Sequence, residues 1–155
     1  MKPLCAPPDA TTIIGSLPHK EAGEALALLS RYPLDIPAWP QLPKRSFHES
    51  MILQFSEGFP GIRVDEDAKK AWVQNDSELP GRMGDFYEKV LAGETDPFAV
   101  SADYAAGFHA FPAWLPGIPR PPVVKGQVVG PFTMGLSVGD QTGKSLWFDE
   151  QYRDI

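Results

Sequence analysis

The chain contains one cysteine, Cys5, and three histidines. A single thiol excludes an internal disulfide framework and a zinc site built from several cysteines. So few thiols fit a reducing cytoplasm. Basic residues are also scarce, with 14 Lys and Arg against 20 Asp and Glu and a net charge of -6. That balance argues against a nucleic-acid binder driven by phosphate neutralisation and against a polybasic membrane anchor. No apolar run approaches the roughly 18 residues of a membrane span. The opening residues, Met1 to Pro8, lack the apolar stretch of a secretory signal. Internal repeats, heptads and low-complexity tracts are absent as well.

What is present is a 155-residue chain that is 43% hydrophobic, enough to bury a core. Its 17 prolines and 14 glycines are spread out rather than tandem. They predict short elements joined by many turns. Residues 1–10 read as a loose arm. Thr11 to Ile14 is β-branched and ends at Gly15-Ser16, a short strand running into a turn. Ala22, Ala25, Leu26, Leu29 and Tyr32 form a helical stripe stopped by Pro33. Three prolines between Pro37 and Pro43 predict an extended loop carrying Trp39 and Gln41. Ser46 and Glu49 have the spacing of a capping box. The helix they would open places Phe47, Met51, Ile52 and Phe55 inward and stops at Gly58.

Ile62-Arg63-Val64 and Ala71-Trp72-Val73 flank a charged run and predict a β-hairpin. Ser77 is placed to cap a helix with the stripe Leu79, Met83, Phe86, Val90 and Leu91, stopped by Gly93. Ser101 is placed to cap another, with Ala102, Ala105, Phe108 and Phe111 inward. Val123 to Val129 is the strongest strand pattern, and it ends at Gly130-Pro131-Phe132-Thr133. Strand ends of this kind are where α/β folds place ligands. Asp149 to Ile155 reads as the first turn of a helix.

Chemistry-bearing motifs are sparse. Gly139 to Ser145 has one residue too few between its glycines for a phosphate loop and reads as a polar turn. No two of Cys5, His19, His48 and His109 have helical ligand spacing. There is no G-x-S-x-G elbow. Ser16 and His19 sit at a strand-to-helix junction, where Ser16 serves either as a helix cap or as a ligand contact near free N–H groups.

Three segments together resemble one superfamily. They are Thr12-Ile13-Ile14-Gly15-Ser16-Leu17-Pro18, the stretch Met51 to Gly61 with Phe55, Glu57 and Gly58, and Val124-Lys125-Gly126-Gln127-Val128-Val129-Gly130-Pro131-Phe132-Thr133. In this order they resemble the cobalamin-independent methionine synthase and uroporphyrinogen decarboxylase group. Trp39 to Ser46 is similar to a methionine-synthase-like subgroup rather than to the true synthase. The resemblance implies an α/β fold, the N-terminal portion of a (β/α)₈ TIM-type barrel with a β-hairpin insertion. Residues 11–155 would then be a partial barrel ending before its second half, in a longer parent.

The resemblance further implies a substrate-binding mouth of Ile14, Gly15, Ser16, Trp39, Gln41, Gly130, Pro131 and Thr133. It assigns no catalytic residue. The activity implied for the parent is methyl transfer to a thiol or amino-acid substrate, with zinc as the parent's cofactor and no metal or cofactor held by this chain. The synthase's His-Gly-Glu carboxylate is missing here, since Gln41 is the polar side chain in that region. A decarboxylase or corrinoid-linked methyltransferase is the alternative enzyme class, with Lys44 and Arg45 as its nearest basic residues. The non-enzymatic alternative is a half-barrel whose bare sheet edges invite self-association. The partner expected is a small molecule, with neither nucleic acid nor membrane.

Overall fold

A computed structural model describes residues 9–119 and 121–153. The expected arm at residues 1–10 falls mostly outside them, as do Cys5 and the last two residues. The fold is mixed α/β, with short helices and a small three-stranded sheet. It divides into two compact units, each assembled from two stretches of chain: residues 1–50 with 101–128, and residues 51–100 with 129–155.

The first unit contains three extended segments that run parallel to one another. Thr12 bridges Ile36, Ser16 bridges Gln41, and Ala38 bridges Lys125. The Ile36 N–H donates to the Thr11 carbonyl at 3.0 Å, Gln41 N–H to Gly15 at 2.9 Å, and Lys125 N–H to Pro37 at 2.9 Å. Pro37 and Pro40 lack the N–H that a continuous ladder needs, so isolated bridges replace a regular strand. The strand expected at Val123 to Val129 is likewise only an extended segment with one bridge, at Lys125. Its exposure still alternates residue by residue, with Lys125 and Gln127 turned inward and Gly126 and Val128 outward.

Helix α1, Ala22–Leu29, buries Ala25, Leu26 and Leu29. It packs against α3, Ala106–Trp114. A fully buried leucine of this kind contributes roughly 2 kcal/mol. Tyr32, expected on the stripe, lies beyond the last turn and is exposed. In α3, Gly107 and Phe111 are buried, but Phe108 is half-exposed and stands edge-on to Trp39 with centroids 5.7 Å apart.

The helix expected from Ser46 and Glu49 does not form. Only one 3₁₀ turn, Phe47–Glu49, is present, and Met51 is exposed. Ser46 does cap it, accepting from the His48 N–H at 3.1 Å. Glu49 is used elsewhere. Its carboxylate is fully buried and accepts from Leu42 N–H at 3.0 Å, Ala106 N–H at 3.3 Å and the Arg45 guanidinium at 3.0 Å. It ties the turn after Gln41 to the start of α3. Burial pushes its carboxyl above the ordinary value, against the pull of the two backbone donors and Arg45.

In the second unit, β1 (Ile62–Asp65) and β2 (Lys70–Val73) form an antiparallel hairpin, and β3 (Gly139–Asp140) runs parallel to β2. Helix α2, Leu79–Leu91, buries Leu79 and Met83 in its first turns, while Val90 and Leu91 are exposed. Ser77 is not its cap. The Asp76 carboxylate instead accepts from Glu78 N–H at 3.0 Å and from Arg82 at 2.6 Å. Helix α4 spans Pro131–Ser137 and α5 Glu150–Arg153. The core joins Val73, Leu79, Met83, Val138, Leu146 and Tyr152. Among the described residues, no helix is long and apolar enough to cross a membrane.

Candidate functional site

The neighbouring ends of the three extended segments in the first unit form a small polar cluster. Gly15 is its centre. Its φ is +135°, a backbone conformation that side-chain-bearing residues rarely adopt. A Cβ built there would lie 2.3 Å from Gln127 Nε2 and 3.2 Å from Gln41 Oε1. Glycine therefore leaves the space in which two side-chain amides approach the backbone.

Each amide has a protein contact. The Ser16 hydroxyl donates to Gln41 Oε1 over a long 3.5 Å, and Gln41 is buried. Gln127 Nε2 donates to the Trp39 carbonyl at 3.1 Å. The other end of that amide, Gln127 Oε1, is buried and has no hydrogen-bond partner among the described residues. A buried acceptor left unpaired is costly, so it marks a place where a donor on a ligand would gain most. Lys125 crosses the same segments, its ammonium donating to the carbonyls of Ile13 and Ile14. Ile14 itself is 88% exposed. The cluster thus offers a hydroxyl, a cation, a free amide acceptor and an exposed apolar side chain.

Five of the expected site residues, Ile14, Gly15, Ser16, Trp39 and Gln41, lie in this unit. Gly130, Pro131 and Thr133 belong to the second unit, where Gly130 and Pro131 begin α4 and Thr133 is exposed in its first turn. Ser16 is not a helix cap, because α1 starts at Ala22 with Glu21 before it. The free N–H groups expected beside Ser16 are therefore not those of α1. His19 Nδ1 is buried without a hydrogen-bond partner among the described residues, and the Ser16 hydroxyl is directed to Gln41.

Neither Lys125 nor Gln127 belongs to the substrate-binding mouth that the resemblance implies. Their signal is the period-two spacing of the strand pattern, which puts both on one side. The Gly139 to Ser145 loop is closed on itself. Asp140 accepts from the Thr142 N–H and hydroxyl and from the Lys144 N–H, at 2.6–3.0 Å. Those contacts hold the Asp140 carboxyl below its usual range, the Thr142 hydroxyl most of all.

Among the described residues, no three His, Cys, Asp or Glu side chains gather as metal ligands would. The cluster's chemistry is hydrogen bonding and charge. Compared with known proteins, the chain matches no family model, no curated protein and no solved structure at a significant level.

Proposed function

We propose that this chain is the substrate-positioning part of a methyltransferase-like barrel protein, acting in a reducing cytoplasm, and that its polar cluster holds the amino-acid portion of a thiol substrate. The observation that carries the reading is the Gly15–Gln41–Gln127 cluster at the ends of three parallel segments. They neighbour one another in chain order, with α1 between the first two, and with α3, preceded by β1, β2 and α2 of the second unit, between the second and third. That order supports successive β/α units, and barrels of this type place ligands at strand ends.

The chemistry of the cluster suits a small zwitterion. Ser16 and the nearby Lys125 favour a carboxylate by hydrogen bonding and charge. Gln127 Oε1, which has no partner among the described residues, accepts from an ammonium group. An amide is a weaker partner for ammonium than a carboxylate would be, so affinity is modest and orientation is the main gain. Ile14 and Trp39 give the substrate's carbon chain an apolar wall. Any metal that activates the thiol is held outside the described residues, and no step is assigned to it.

Isothermal titration with L-homocysteine, with and without zinc, tests the reading. Binding is expected in both conditions and is expected to weaken about tenfold in Gln127→Leu, which loses one charge-assisted hydrogen bond. Absence of heat in both conditions, or a Gln127→Leu variant that binds like the wild type, overturns it.

A further inference from the structure

The second unit carries a partly open cavity of about 330 Å³ that has no part in the proposal above. This lies at the lower end of the range for small-molecule sites. Six aromatic rings line it: Phe55, Phe59, Phe86, Phe98, Trp147 and Tyr152. Phe86 and Phe98 meet edge to face, with centroids 5.2 Å apart and planes at 68°. One charged side chain, Glu57, is found among the described lining residues, and no basic one. Aromatic faces carry negative potential, and a carboxylate adds to it. A lining of aromatic rings with one carboxylate and no basic side chain disfavours anions.

A second observation points to a ligand. Tyr152 is 5% exposed, and its hydroxyl is buried without a hydrogen-bond partner among the described residues. The ring is part of the unit's core. A buried hydroxyl that the fold leaves unsatisfied is uncommon, and a ligand carrying its own hydroxyl or carbonyl would complete it.

We propose that this cavity binds a small organic cation, an alkylammonium or quaternary ammonium group. The aromatic rings enclose its charged head, and Glu57 balances its charge. Such heads carry their charge on a greasy surface, so they lose little hydration on entering an aromatic box and gain cation–π attraction there. A neutral molecule of the same shape gains only the apolar contact.

The test compares choline with its uncharged carbon isostere, in which a tert-butyl group replaces the trimethylammonium. Both are titrated into the chain at high salt, which screens the general attraction of a protein with net charge -6. The readout is the indole N–H resonance of Trp147, assigned by its loss in Trp147→Phe. Choline is expected to bind about tenfold tighter than the isostere, and the preference is expected to shrink several-fold in Glu57→Gln. Equal binding of the two probes overturns the assignment, as does an unmoved Trp147 resonance at millimolar choline. The wild-type comparison stands without the variant. The probes differ from those for the strand-end cluster, so either proposal can fail alone.

Discussion

Adding one methyl group at Gly107 is expected to destabilise the first unit by about 2 kcal/mol. A Cβ there would lie 1.9 Å from the Pro40 carbonyl oxygen and 2.9 Å from both its carbonyl carbon and Cγ. Comfortable separation is roughly 3.5 Å, so α3 and the 37–42 segment would have to part by roughly 1.5 Å. The two carbonyl atoms are backbone and Cγ belongs to the closed proline ring, so none of the three can swing aside as a flexible side chain would. Overpacking of this kind costs about 1–3 kcal/mol, with backbone clashes at the upper end. Alanine returns about 1 kcal/mol through its helix propensity.

The clash wins by about 2 kcal/mol, which lowers the urea midpoint by about 1 M at an ordinary slope. Far-UV circular dichroism against urea measures it. Gly84→Ala in α2 is the internal control, because nothing lies within 4 Å of a Cβ there. It is expected to stabilise by about 0.5–1 kcal/mol. A Gly107→Ala midpoint equal to or above the wild type, with an unchanged slope, refutes the close packing of α3 on Pro40.

Gly15→Ala is expected to cost about 2–3 kcal/mol, from strain at its positive φ and from displacing the Gln127 amide off the Trp39 carbonyl. Urea unfolding reads the cost, and loss of L-homocysteine heat reads the effect on the cluster. Unaltered stability there would contradict the described backbone. The Glu49 carboxyl is raised in the folded state, so between the ordinary and the raised value the native chain holds a proton that the unfolded chain has released. Stability is therefore fully present below the ordinary glutamate range and is lost as pH climbs through the raised value. Relative to Glu49→Gln, the wild type should lose stability over that window and run parallel above it. A wild type that instead gains stability relative to Glu49→Gln as pH rises would rule out burial as the dominant influence.

The parts of the fold that could be read in advance are those whose signals are local. The Ile62–Val73 hairpin shows because two β-branched runs flank a charged tip, and α1 because three apolar residues fall on one stripe. The spacing of Glu49 from Ser46 signals a capping box and says nothing of burial. The carboxylate's actual donors, Leu42 and Ala106, include one 57 residues away, which local pattern cannot reveal. The half-exposed α2 has the same origin: its apolar stripe continues past Met83, but nothing in the sequence says where the core it faces ends. At the candidate site, Ser16 is legible from the strand-turn chemistry around it, whereas Gly15 and Gln41 enter through the family resemblance. Gln127 was not legible, because its importance lies in facing Gly15 across the fold.

The first unit closes only by contacts of long sequence reach. Lys125 reaches back 112 residues to Ile13, and Gln127 reaches 88 to Trp39. Between these partners the chain must first produce residues 51–100, which belong to the other unit. On the ribosome, then, residues 11–50 emerge before the third extended segment is made. They wait several seconds at ordinary synthesis rates of about 5–20 residues per second. During that interval the exposed Pro-rich segment carrying Gln41 has no third strand to lie against. Its prolines, which interrupt the finished sheet, also make it a poor template for pairing with another nascent chain. The broken ladder costs the mature protein regularity and protects the immature one from aggregation.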